Sequence, residues 1–161
     1  MKGQGATEYL VLLAVVLIIA LVSIALLGFF PGLAADAKIT QSNTYWRGEA
    51  RPVSIVEHSF NSTGDGTVII LNNDAAGTIT ITEMSFATTG GTLNGRMAGV
   101  GNATASPITL ASGQQTSVNV TGAQTGSSGG TYEYNVVITY KSPNDLTATQ
   151  YGMKPIVGKF N

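Results

Sequence analysis

The chain has no cysteine, a single histidine and few charged side chains among its 161 residues. Without cysteine it can form neither a disulfide nor a thiolate metal site. The single histidine, His58, excludes a centre built from several histidines. Charged residues make up 11% of the chain, against about 25% in ordinary soluble domains. With a formal net charge of −1, nothing in the composition favours nucleic acid as a partner.

The remaining polar residues do not form a pattern typical of an enzyme. No nucleophile elbow, phosphate loop or zinc motif is present. Residues 72–77 with Glu83 partly match a calcium-binding loop, but a hairpin turn is the better explanation of the same residues. His58 alternates with Val56 and Phe60, which predicts half-buried packing. Seven acidic residues are scattered without pairing: Glu49, Glu57, Asp65, Asp74, Glu83, Glu133 and Asp145. We therefore expect a protein that is not an enzyme and has no metal or other cofactor.

A long apolar run lies near the N-terminus, from Tyr9 to Phe30. As a helix its 22 residues would extend about 33 Å, enough to cross a bilayer core of about 30 Å. Sixteen of them are Leu, Ile, Val or Phe. On the insertion scale these contribute roughly −5 to −10 kcal/mol towards the membrane. We expect this segment to enter a bilayer.

Three interpretations of the run compete. It can be a permanent one-pass anchor, or a secretory signal peptide cleaved after Ala35-Asp36-Ala37. Signal peptides, however, have a shorter apolar core behind a more basic leader than Lys2 provides. The third interpretation depends on Glu8, the only charged side chain between Lys2 and Asp36. A carboxylate at the edge of an apolar span is costly unless it meets water or a cation, so its presence suggests a role in assembly.

The string that precedes the run, Met1-Lys2-Gly3-Gln4-Gly5-Ala6-Thr7-Glu8-Tyr9-Leu10, resembles archaeal type IV pilins that have a class III signal peptide. In that family a short leader ends in Gly, Gln follows it, and Glu is the fifth mature residue ahead of a long apolar helix. The resemblance covers about the first 30 of the 161 residues. It implies that Gly3 ends the leader, that Gln4 begins the mature chain and that Glu8 serves subunit assembly.

The resemblance also implies a life cycle. The precursor would sit in the cell membrane with its N-terminus cytoplasmic and its head outside, where a prepilin peptidase removes the leader. The pilus assembly machinery would then move the subunit into an extracellular filament, in which copies pack through their N-terminal helices. The Gln4 and Glu8 pattern favours an adhesion-type pilus. An archaellin-like subunit and a monomeric, membrane-anchored binding module stay open as alternatives.

The rest of the chain predicts a short helical extension followed by a β-domain. Pro31-Gly32 should end or kink the helix, residues 33–46 should continue it, and the polar segment 47–52 should close it. We therefore divide the chain into a leader (1–3), a helix with its extension (4–50) and a head (51–161).

Period-two alternation predicts the strands of the head. The strongest strand is 132–140, and the strand from 78 to 86 needs a β-bulge near Glu83 to bring Met84 and Phe86 onto the apolar face. Other strands are expected at 53–60, 66–72, 107–110, 117–121, 147–153 and 155–160. This spacing predicts an immunoglobulin-like β-sandwich. The Gly- and Ser-rich stretch 122–130 is expected to be a flexible loop at the distal end of the head.

Three Asn-X-Ser/Thr triplets are candidate N-glycosylation sites: Asn61, Asn102 and Asn119. Asn119 is the best placed by sequence, because alternation directs it away from the core that Val118 and Val120 enter.

Overall fold

A single long helix opens the fold. The computed structural model describes residues 4–74, 76–88, 93–99 and 107–161. Helix α1 covers Gln4–Thr44 and continues into a π-helical turn, Tyr45–Glu49. Of the two effects expected at Pro31-Gly32, an end or a kink, the end does not occur, since α1 runs through both residues. A proline inside a helix removes one backbone hydrogen bond, whereas ending the helix in an apolar environment would leave several backbone groups unpaired.

Among the residues that the structure describes, nine strands follow, and their pairings are all antiparallel. The strand order in the sheet is β1-β2-β6-β4-β3-β7-β8, with β5 added to β3 and β9 added to β7. The predicted fold class, an N-terminal hydrophobic helix with a β-sandwich head, is confirmed. The strands are β1 Val53–Phe60, β2 Gly66–Asn72, β3 Ile79–Thr88, β4 Leu93–Gly99, β5 Ile108–Leu110, β6 Gln115–Thr121, β7 Thr131–Lys141, β8 Thr147–Tyr151 and β9 Ile156–Lys159.

The predicted irregularity in β3 is present. The register between β3 and β7 shifts between Ile81 and Glu83. Ile79 and Ile81 before the shift, and Met84 and Phe86 after it, are all buried in the core. One extra residue therefore keeps both halves of the strand on the apolar face, as the change of phase in the sequence indicates.

Strand β4 was not predicted, because its sequence LNGRMAG contains two glycines and no alternation of apolar and polar residues. Its backbone pairs with β3 on one side and β6 on the other. Ladder hydrogen bonds do not depend on side-chain pattern. Neighbouring strands therefore define β4, and no local signal in the sequence identifies it.

The chain divides into two compact units, Met1–Ala37 and Lys38–Asn161. The last turns of α1 thus belong to the head unit, whereas the sequence suggested a head beginning at residue 51. Within this unit, Ser42 is buried; its Oγ donates to the Pro155 carbonyl at 2.8 Å and accepts from the Val157 N–H at 3.1 Å. Lys38 Nζ lies 3.1 Å from Glu133 Oε2. The head is therefore complete only with the helical residues from 38 onwards.

The 122–130 loop is held to the head at several points. The Ala123 N–H donates to the Gly64 carbonyl at 3.0 Å, and the Gly126 N–H donates to the Ser62 carbonyl at 3.0 Å. The Tyr134 hydroxyl donates to the Gln124 carbonyl at 2.8 Å. These bonds tie the loop to the β1–β2 turn and to the start of β7.

The position of this loop in the head also differs from the prediction. Lys38 lies beside Glu133, and Trp46 packs on Gly152, whose N–H donates to the Val136 carbonyl. The helical residues 38–46 therefore run along β7 in its own direction. Because the loop precedes β7, it lies at the end of the head where residue 38 is found. The expected distal position is wrong.

Candidate functional site

The surface of the N-terminal unit is apolar on every side. Of the side chains described between Tyr9 and Leu33, sixteen large hydrophobic ones are exposed, among them Leu27 at 73% and Leu10 at 60%. Residues 9–13 are consecutive and all exposed, and successive helical residues are about 100° apart, so they cover the whole circumference. None of the most apolar window is buried within the protein.

Such a surface needs a cover. Leaving one large apolar side chain in water costs about 1.5–3 kcal/mol relative to burial. Summed over the exposed apolar side chains of this helix, the cost of contact with water exceeds the net stability of a typical domain, about 5–15 kcal/mol. Within the described residues, Gly5–Glu49 is the one helix long and apolar enough to cross a membrane. Lipid, or the same helix of other copies, can supply the cover.

Glu8 lies on the second turn of α1, beside Thr7, Val11 and Leu12, and is exposed. No ion pair joins Glu8 to another described residue. The carboxylate lies beyond the first turn of α1, outside the range of the helix dipole, and faces the surroundings of the helix. It is thus accessible to a cation from outside its own helix.

The predicted processing site is only partly described. Gln4 is the first residue of α1, and Gly3 lies outside the described residues. A mature chain that begins at Gln4 would place its ammonium group at the start of α1, one helical turn before Glu8.

The glycosylation candidates occupy different environments. Asn61 is exposed in the turn between β1 and β2. Asn119 is half-buried within β6, and the Thr67 hydroxyl donates to its Oδ1 at 3.3 Å. Asn102 lies outside the described residues.

His58 is half-buried, as its alternation predicted. Its Nδ1 lies 2.7 Å from the Tyr132 hydroxyl, and the ring nitrogen that carries the proton decides which of the two groups donates. Burial, and secondarily the positive charge of Arg47, lowers the pKa of His58 to about 4. Burial also raises the pKa of Tyr132 above its ordinary range, with a smaller contribution from Tyr134. Both groups are therefore neutral at physiological pH and act as packed hydrogen-bond partners.

The head should become less stable as the pH falls from about 6.5 to 4. The pKa of His58 is lowered in the folded state, so the unfolded chain binds more protons in this window and acid favours unfolding. The contribution is at most about 3 kcal/mol. Urea unfolding of residues 38–161 at several pH values measures it. His58→Gln, which can still form a hydrogen bond with Tyr132, should flatten the dependence. An identical pH slope in both proteins would contradict the assignment.

The residues that resemble a calcium loop are used by the fold. Asn72 is fully buried; its Nδ2 donates to the Gly77 and Leu110 carbonyls at 2.9 Å each, and its Oδ1 accepts from the Asp74 N–H at 2.8 Å. These bonds shape the turn after β2. Among the described residues no group of three or more His, Asp or Glu side chains lies close enough together to hold a metal ion.

Gln150 on β8 is also a buried polar side chain, and the sequence did not predict its role. Its Oε1 accepts from the Val53 N–H at 3.0 Å and its Nε2 donates to the Val53 carbonyl at 2.8 Å. One carboxamide thus mimics a strand partner and links the last strand of the sheet order to the first. Nothing in the local sequence distinguishes Gln150 from an exposed glutamine.

No model of a known protein family matches this chain, and no curated protein matches it.

Proposed function

We propose that this protein is a structural subunit of an extracellular, archaeal type IV pilus-like filament, made as a membrane-inserted precursor. The observation that carries the proposal is the exposed apolar run of α1 with Glu8 near its start, in a chain that also has a compact head. In the precursor, lipid covers the helix, with the N-terminus cytoplasmic and the head outside. In the filament, the helices of neighbouring copies replace the lipid.

Glu8 is the feature that favours a filament over a simple anchor. A single-pass anchor gains nothing from a carboxylate at the edge of its apolar span, where acidic residues are penalised. In a bundle of processed helices, the carboxylate of one subunit can meet the N-terminal ammonium of the next. The pair neutralises two charges that would each cost several kcal/mol alone in an apolar core. The same pairing sets the axial register between subunits.

A monomeric, membrane-anchored binding module is the competing function, because lipid alone could cover the helix permanently. The two functions differ in the fate of the N-terminus. A pilin requires a prepilin peptidase to expose a new ammonium near Glu8, followed by transfer through the assembly machinery. An anchor requires neither step.

Maturation tests the proposal directly. We expect the protein recovered from its native host to begin at Gln4 and to sediment with filaments. Mass spectrometry of the N-terminal peptide identifies the start. A start at Lys38 would instead indicate a cleaved secretory signal, and an uncleaved, non-sedimenting protein would indicate an anchor.

A matched pair of glycine variants sharpens this experiment. Gly3→Val should block cleavage, since a peptidase must approach the backbone closely at this residue. Gly5→Val is the control, because a side chain at Gly5 meets nothing within 4 Å, and its processing should continue. Equal processing of the two variants would place the cleavage elsewhere.

A further inference from the structure

We propose that Asn61 is the residue at which the folded head accepts an N-linked saccharide, in preference to Asn119. The inference rests on the proposed function in one respect, since a head outside the cell meets the extracellular transferase. It otherwise depends on the geometry of the β1–β2 turn.

The carboxamide of Asn61 has a defined orientation. Its Oδ1 accepts three hydrogen bonds: from the Thr63 N–H at 3.1 Å, from the Thr63 hydroxyl at 2.7 Å and from the Asp65 N–H at 2.9 Å. Backbone N–H groups can only donate, so the atom facing them must be the oxygen. The amide nitrogen Nδ2, the atom that is glycosylated, therefore points out of the turn.

The turn keeps this orientation because the loop that follows β6 packs against it and forms hydrogen bonds with it. Gly64 is buried with φ of +86°, and a Cβ there would lie 2.1 Å from the Ala123 carbonyl oxygen. The Ala123 and Gly126 N–H groups donate to the carbonyls of Gly64 and Ser62. Asn61 itself is exposed. An enzyme would therefore meet an acceptor already ordered on the surface of the folded head.

An open groove of about 420 Å³ lies beside Asn61. Its polar lining includes Ser59, Asp65, Thr67, Thr121 and Asn161. Hydroxyl, carboxamide and carboxylate groups are suited to hydrogen bonding with sugar hydroxyls. A saccharide attached to Asn61 has a polar surface against which its first residue can lie.

Asn119 also lines this groove, but its backbone and side chain are held differently from those of Asn61. It lies in the interior strand β6, opposite Thr67 on β2 and opposite Gly99 on β4. Its side chain is half-buried and receives a hydrogen bond from the Thr67 hydroxyl. Ladders on both sides hold its backbone flat in the sheet, so a transferase cannot wrap around the triplet without separating strands.

The reaction is a group transfer without oxidation or reduction. The donor is a saccharide joined through a phosphate ester to a polyprenyl lipid. Asn61 Nδ2 forms a bond to the anomeric carbon of the sugar, and the bond from that carbon to the phosphate oxygen breaks. The bonding electron pair leaves with the lipid phosphate, and Nδ2 loses one proton to a base of the transferase. The Thr63 hydroxyl, bonded to the carboxamide, orients the nucleophile.

Trypsin separates the candidates, since the Arg51-Pro52 bond resists cleavage. Residues 48–96 form one peptide that contains Asn61, and residues 97–141 form another that contains Asn102 and Asn119. Mass spectrometry of the tryptic peptides of protein from the native host should find the saccharide on peptide 48–96. Asn61→Gln and Thr63→Ala should abolish that mass increase. Ser62→Ala, which leaves the triplet intact, and Thr63→Ser, which keeps the hydroxyl, should retain it.

An unmodified 48–96 peptide, or a saccharide confined to 97–141, would overturn the proposal. Membrane and filament fractions are analysed separately to keep this outcome distinct from the filament hypothesis. Modified Asn61 in cells without filaments would support the site and contradict the pilin function. Unmodified Asn61 in protein from intact filaments would contradict the glycosylation site and support the pilin function.

Discussion

Glu8→Ala should abolish surface filaments while the protein is still made, processed and inserted into the membrane. In the proposed filament, the change would leave the ammonium of a neighbouring subunit unpaired within an apolar helical bundle. Removing one partner of a buried ion pair typically costs about 3–5 kcal/mol. The cost recurs with every subunit added, so growth fails even though each single contact is weakened only moderately. Electron microscopy of cells, beside wild type, measures the result.

The controls for this experiment separate a filament from an anchor. Glu8→Asp should be intermediate, because the shorter side chain keeps the charge and loses reach. Immunoblots of the membrane fraction check that protein levels match. In a simple anchor the Ala variant should be harmless or slightly stabilising, since it removes a charge from the membrane edge. Equal filaments in both strains, or none in either, would leave the anchor as the better account.

Trp46→Ala should be the most damaging single change in the head, lowering its free energy of unfolding by about 3–5 kcal/mol. Trp46 is 1% exposed, packs edge-on against Tyr45 with 5.2 Å between ring centroids, and donates from Nε1 to the Lys154 carbonyl at 3.0 Å. Its removal leaves a cavity and an unpaired carbonyl. Urea unfolding of residues 38–161, followed by circular dichroism, gives the difference.

Two glycine variants test whether the loss reflects the packing of this ring. A Cβ on Gly152 would lie 2.5 Å from Trp46 Cζ2, so Gly152→Ala should cost about 1–3 kcal/mol through overpacking. A Cβ on Gly48, in the π-helical turn, meets nothing within 4 Å, so Gly48→Ala should change stability by no more than about 0.5 kcal/mol. Similar losses of stability in the Gly152 and Gly48 variants would contradict close packing of the Trp46 ring against Gly152.

A shorter fragment extends the same test. Residues 52–161 carry all nine strands but neither Trp46 nor Tyr45, both of which are buried in the core. We expect this fragment to be soluble, monomeric and rich in strand, yet clearly less stable than residues 38–161. Equal free energies of unfolding for the two fragments would show that the helical segment 38–51 does not stabilise the head.

The sequence by itself determined the features that depend on local order. The apolar run from Tyr9 to Phe30 and Glu8 can be read directly, because membrane insertion depends on composition along one helix. Alternation identified β7 and the bulge near Glu83, since the two faces of a strand differ in burial. The half-buried state of His58 followed from the same alternation. Each of these properties belongs to a single element.

Only the tertiary structure decided what depends on residues far apart in the chain. Strand β4 is defined by the neighbours that pair with its backbone, and Gln150 is buried because Val53 needs a partner almost a hundred positions away. The head includes the helix from Lys38 because Trp46 fits against Gly152. Alternation directed Asn119 away from the core, but it could not show that Thr67 would lie beside it. The physical reason is the same throughout: a pattern reports which face a side chain takes, and packing decides what meets it there.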